Sequence, residues 1–199
     1  KVSEQIMDKM NFKHYMLKEI YDQPETAKNW LKNYLIKNLE SGQYQINYPF
    51  DTKFFESIER IEIIACGTSK HAAMVGKFLL EQFSGIPTNV FYASEFRYSP
   101  PPLLPNTLTI GVTQSGETAD TIAAIDMEIK RRSSKEDKKF TPNLIAITNR
   151  KESSIGRQVL NIIDICAGIE VGVAATKTFF GQLLSFYGLA IKFAQIKGS

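Results

Sequence analysis

The sequence predicts an α/β fold in which five parallel strands form one sheet with helices on both faces, preceded by a helical arm. Two observations lead there. From residue 60 onward, short apolar runs alternate with stretches of helical periodicity, which is the pattern of a parallel sheet. Residues 1–58 contain no strand-like run and no chemistry-rich loop, so they read as a separate helical arm, leaving 59–199 as the main domain.

In the arm, Tyr15, Ile20 and Tyr21 precede Gln23-Pro24, and Pro24 suits a first helical turn. Ala27, Trp30, Leu31, Tyr34 and Leu35 then recur at helical spacing, and Ser41-Gly42 ends that helix. Asp51 is placed to cap a short helix carrying Phe54, Phe55 and Ile58. In the main domain, Ile61, Ile63, Ile64 and Ala65 make the first strand, ending at Cys66-Gly67. A helix follows with Ala72, Val75, Leu79 and Phe83 on one face, and Gly85-Ile86-Pro87 stops it. The second strand covers 89–92, a proline-marked loop spans Pro100 to Pro105, and the third strand covers 107–113. A helix from about 117 to 132 comes next, then strands at 144–148 and 162–166. The last element, 176–194, is a strongly apolar helix whose Phe179, Phe180, Leu183, Leu184 and Phe186 belong to a core or a subunit contact.

The chain of 199 residues suffices for one sizeable core, and its 43% hydrophobic and 23% charged content is ordinary for a globular protein. The net charge of +3 is no footprint of nucleic-acid binding. The one basic cluster, Lys130, Arg131, Arg132, Lys135, Lys138 and Lys139, is interleaved with Glu136 and Asp137 and reads as a solvated helix end and loop. Cys66 and Cys166, far apart, make no disulfide framework. No run of 18 apolar residues and no secretory signal is present, so the expectation is a cytoplasmic protein without membrane contact. A first residue that is Lys1 rather than Met suggests a piece of a longer protein.

Parallel sheets bind ligands at the carboxyl ends of their strands. The first strand ends in Cys66-Gly67-Thr68-Ser69 and the third in Thr113-Gln114-Ser115-Gly116-Glu117-Thr118. Each offers a glycine for close backbone approach, then hydroxyls and free N–H groups at a helix start, a combination that holds an anion such as phosphate. Neither carries the lysine of a nucleotide P-loop, and the dinucleotide glycine pattern is absent. Ser and Thr at helix starts are also ordinary caps. Two such loops at one sheet edge favour a ligand.

Other reactive types have plainer readings. His71 lies one turn into the helix after Ser69, and His14 sits in the arm; two separated histidines make no metal site. Cys66 reads as a small residue at a strand end, Glu117 as a helix-start carboxylate with lowered pKa, and Arg97 as a partner of Glu95. No cofactor is implied.

Four segments occur in order: Cys66-Gly67-Thr68-Ser69, Ala93-Ser94-Glu95-Phe96-Arg97-Tyr98, Gln114-Ser115-Gly116-Glu117-Thr118-Ala119-Asp120-Thr121 and Gly172-Val173-Ala174-Ala175-Thr176-Lys177. Together with His14–Tyr21 and Gln23-Pro24, they resemble the sugar isomerase (SIS) domain, and within it the first SIS half of the glutamine–fructose-6-phosphate aminotransferase family. The resemblance implies a three-layer αβα, flavodoxin-like SIS domain. It assigns phosphate and sugar contacts to Thr68, Ser69, Thr113, Gln114, Ser115 and Thr118, and a backbone contact to Val173. Ala175 stands where serine is common in the family, and the stretch 131–140 is longer than usual. The family makes glucosamine 6-phosphate from fructose 6-phosphate and glutamine, using a glutaminase part and two SIS halves. Its proton-moving glutamate, and the lysine and histidine that handle the open-chain sugar, lie in the second half. The resemblance therefore implies no catalytic residue here: this chain binds fructose 6-phosphate or glucosamine 6-phosphate without turnover, as a homodimer that pairs in the full enzyme with the second SIS half and the glutaminase domain. Two alternatives are a stand-alone sugar-phosphate sensor, disfavoured by the lack of a basic recognition helix, and a small sugar-phosphate isomerase, disfavoured by the lack of an evident base.

Overall fold

The computed structural model describes residues 9–40 and 42–198; expectations for residues 1–8, Ser41 and Ser199 lie outside them. Two helices come first among the described residues, α1 (Tyr15–Tyr21) and α2 (Gln23–Tyr34), with Pro24 in the first turn of α2 as its missing N–H allows. The arm is not wholly helical. Leu35–Lys37 (β1) and Tyr44–Ile46 (β2) form an antiparallel ribbon, turning through Gly42 at φ +71°. Leu35, read as part of a helix that runs to Ser41-Gly42, starts a strand instead: the chain reverses and pairs Leu35 with Ile46. Asp51 accepts the Lys53 N–H at 2.9 Å and starts a 3₁₀ turn, Lys53–Ser57.

The main sheet holds β3 (Arg60–Ala65), β4 (Thr88–Tyr92), β5 (Thr107–Thr113), β6 (Asn143–Thr148) and β7 (Ile162–Asp164), all parallel, in the order β4-β3-β5-β6-β7. β7 stops at Asp164, two residues short of the expected end, because Asp164 Oδ1 takes the Cys166 N–H at 2.8 Å and Cys166 adopts φ +57°. The interleaved helices are α3 (Gly67–Ser84), α4 (Ala93–Phe96), α5 (Ala119–Ser133), α6 (Ser154–Gln158) and α7 (Lys177–Lys197).

Strand residues alternate between two cores. Ile61, Ile63, Leu108, Ile110, Val112, Ile145 and Ile147 meet Ala72, Leu80, Phe186, Leu189 and Phe193 of α3 and α7. Ile64, Leu144 and Ala146 meet Phe96, Ala124, Ile125 and Ile155 on the other face. Both faces of the sheet are thus mainly apolar, as parallel strands require, with Glu62 and Thr109 among the buried exceptions. The arm joins the first core: Trp30 and Tyr34 are buried in it, and Trp30 Nε1 donates to Ser185 Oγ of α7 at 3.2 Å.

Two expectations change at the surface. In α3 the buried stripe is Ala72, Ala73, Gly76, Leu79 and Leu80, while Val75 and Phe83 are exposed. α3 packs against both the sheet and α7, and Gly76 meets the ring of Phe186, so the small residues take the inner face. The basic cluster is not fully solvated either. Arg132 is 1% exposed, and its Nε donates to Glu128 Oε1 at 2.7 Å and its Nη1 to Leu104 O at 3.1 Å. This buried charge, with Glu62 of β3 at 3.9 Å, ties α5 to the proline-rich loop.

Candidate functional site

β3 and β5 are neighbours, with Ala65 opposite Val112, so the two hydroxyl-bearing tips stand side by side at one edge of the sheet. This is where the strand order reverses, the place at which open α/β sheets take ligands. After β5 the chain makes a tight turn before α5. Thr113 Oγ1 lies 2.7 Å from Thr118 Oγ1 and accepts the Gly116 N–H at 3.3 Å. Ser115 Oγ accepts the Glu117 N–H at 3.1 Å. Gly116 sits at φ +70°, a conformation glycine adopts without strain, and a Cβ there would stand 1.9 Å from Ser153 Oγ. The turn is therefore built around a residue that must be glycine twice over.

Thr113 is 2% exposed, and its hydroxyl is spent on the turn. Gln114, Ser115 and Thr118 are half-buried. Gln114 O accepts the Asn149 N–H at 3.1 Å, locking the β5 tip to the β6 tip. Thr68 is exposed at the start of α3, while Ser69 Oγ accepts a hydrogen bond from Gln182 Nε2 of α7 at 2.9 Å. Val173 is fully exposed in the loop before α7.

A cleft of about 340 Å³ opens beside the turn, lined by Gln114, Ser115, Asn149, Arg150, Gly168, Ile169 and Glu170. It unites Gln114 and Ser115 with residues absent from the sequence-derived set. Thr68 and Ser69 stand on the adjacent tip, outside its lining. Asn149 Nδ2 donates to Gly168 O at 2.5 Å and its Oδ1 accepts the Ala167 N–H at 3.1 Å, so it staples the far wall. Glu170 caps α7. Its carboxylate accepts from Thr176 N–H at 2.9 Å, from Thr178 N–H at 3.3 Å and from the Thr176 and Thr178 hydroxyls. Asn149 and Arg150 are readable in principle, since they follow the fourth strand. Gln182 also had a signal: a polar residue inside the apolar Phe179–Leu184 stretch. Glu170 had none, because its partners lie six and eight positions away.

Neither Glu170 in the cleft lining nor Glu117 in the turn beside it has a free carboxylate. Glu117 accepts from Ser154 Oγ at 2.6 Å and Ser154 N–H at 2.9 Å, so it caps α6, not its own helix. Those two bonds, the hydroxyl first, hold its carboxyl below the usual range. Arg97 pairs with Asp120 at 2.7 Å, not with Glu95: Asp120 lies in the first turn of α5, where the α4 end reaches it.

A parallel αβα sheet with a serine–glycine–glutamate–threonine turn at its order-reversal point defines a SIS domain, and the chain belongs to the SIS domain family, which it matches over residues 54–192. Its curated relatives are narrower in kind. Glutamine–fructose-6-phosphate aminotransferase [isomerizing] of Thermosynechococcus vestitus is 56% identical over 191 residues, 94% of this chain but 30% of that protein. The Synechocystis enzyme of the same name is 52% identical, with the same shares covered. Among solved structures, the C-terminal domain of glucosamine-fructose-6-phosphate aminotransferase from Francisella tularensis superposes at TM-score 0.82 with 34% identity. That match covers 96% of this chain and 50% of that one. The chain thus spans 30% of the length of the two curated aminotransferases.

Proposed function

We propose that this chain is the phosphosugar-binding SIS half of a cytoplasmic glutamine–fructose-6-phosphate aminotransferase, acting as a homodimer with a second SIS half and a glutaminase part. The observation that carries this is the hydroxyl-lined Gln114–Thr118 turn bordering a polar cleft, within a chain 56% identical to such an enzyme. In this reading the phosphate lies against Ser115, Gln114 and Thr118, with Thr68 and Ser69 closing from the adjacent tip. Thr113 acts through the turn, holding Gly116 and Thr118 in place. The sugar extends toward Gly168–Glu170 and the backbone of Val173.

The same geometry supports binding without turnover. Isomerising a sugar phosphate needs a base that takes a proton from carbon. Glu117 and Glu170 each spend both oxygens as helix caps. Calorimetry with fructose 6-phosphate, inorganic phosphate and unphosphorylated fructose tests the reading. Fructose 6-phosphate binding at least tenfold tighter than fructose is the expected result. Equal affinities, or measurable isomerisation by the chain alone, would refute it.

A further inference from the structure

The far wall of the cleft, Gly168–Glu170, continues into a loop whose next two backbone N–H groups are held by the arm. Glu19, on α1, is 2% exposed. Its Oε1 accepts the Val171 N–H at 2.5 Å and the Gly172 N–H at 3.2 Å, and Oε2 accepts Gly172 N–H at 3.1 Å. The fit is close: a Cβ at Gly172 would stand 2.5 Å from Glu19 Oε2 and 3.5 Å from Met16 Cα. Just past the end of α1, Asp22 Oδ2 accepts from Lys177 Nζ at 3.2 Å, so the arm also holds the residue at which the loop enters α7. Burying a carboxylate is unfavourable unless its acceptor sites are filled. Here the filling groups are backbone donors of a loop that otherwise runs exposed from Gly168 to Ala174, apart from half-buried Glu170 and Gly172.

We infer that Glu19 is a positioning residue of the arm, fixing the cleft's far wall so that the sugar, rather than the phosphate, is held. The phosphate turn at Ser115–Thr118 is built from its own hydrogen bonds and owes nothing to Glu19. The inference rests on the phosphosugar reading above. A preset loop raises affinity because ordering it on binding is otherwise unfavourable, and groups behind a site commonly set its geometry.

The test is calorimetry on the whole chain with two probes, fructose 6-phosphate and inorganic phosphate, for wild type, Glu19→Ala and Gly172→Ala. Amide exchange of the segment 169–176 is followed without ligand. Gly172→Ala keeps the carboxylate but displaces it, so it serves if Glu19→Ala does not fold. The expected result is a loss of at least tenfold in fructose 6-phosphate affinity, phosphate affinity within twofold of wild type, and faster exchange of 169–176 while β3 and β5 stay protected. A folded variant in which both probes weaken by one factor, or neither weakens, overturns the positioning role. A wild-type chain that holds neither probe refutes the phosphosugar reading itself, and the role with it.

Discussion

Gly116→Ala is the sharpest probe of the turn between β5 and α5, and its size follows from two separable terms. At φ +70° an L residue is strained by about 1–2 kcal/mol. The new Cβ would also meet Ser153 Oγ at 1.9 Å and Ser153 Cβ at 2.4 Å, and overpacking of that kind destabilises by about 1–3 kcal/mol. Together they predict a loss of about 2–5 kcal/mol, measured as unfolding free energy in urea. The second term belongs to Ser153 alone. In the Ser153→Ala background the Oγ contact disappears but Cβ remains; in the Ser153→Gly background both go, leaving Thr148 Oγ1 at 3.2 Å as the nearest neighbour. The penalty of Gly116→Ala should therefore fall stepwise through the series, with a coupling to Ser153→Gly of about 1–3 kcal/mol. Ser153→Gly is itself destabilising, since Ser153 Oγ donates to Arg150 O at 2.6 Å and the residue precedes α6, but the cycle cancels that. A penalty equal within about 0.5 kcal/mol in all three backgrounds would refute the steric reasoning and leave backbone strain as the sole cause.

Ser115→Ala should weaken inorganic phosphate by about 1–3 kcal/mol, the worth of a hydrogen bond to a charged group, and calorimetry reads it directly. Ser69→Ala should weaken it in the same range, since that hydroxyl accepts from Gln182 at 2.9 Å and keeps its own proton to donate. Burial, reinforced by Glu128 and opposed by Arg132, pushes the Glu62 carboxyl up to about 7. The native state then binds this proton more tightly than the unfolded chain, so stability falls as pH rises from about 4.5 to 7. Glu62→Gln should remove on the order of 2–3 kcal/mol of that fall; urea midpoints at pH 5 and pH 8 with unchanged pH dependence would contradict it. Gly188→Ala places a Cβ 2.4 Å from Trp30 Cη2, so it should loosen the arm from α7. Trp30 is the single tryptophan, and its fluorescence should shift to the red while the sheet's circular dichroism holds.

The sheet was legible because burial on both faces writes itself as short apolar runs, and because Gly67 and Gly116 punctuate the strand tips. The ribbon at Leu35–Ile46 was not: three-residue strands carry too little period to be told from the fraying end of a helix. Ser115 and Gln114, which line the cleft, were singled out because strand-tip position and residue type agree. Glu19, Asn149 and Glu170 were missed because each acts on backbone that only the folded loop brings near. Arg132 shows a further limit. Lys130, Ser133 and Ser134 around it are exposed, and only packing against Glu128 and Leu104 reveals that it is buried.

The grip of Glu19 on Val171 and Gly172 links positions 152 and 153 apart in the chain. Contacts that distant form late, since the entropy of closing so large a ring must be met before they reward it. The serine turn is closed by a contact only five residues long, Thr113 to Thr118. In the proposed reading a refolding chain should thus recover its hold on phosphate before its choice among sugars.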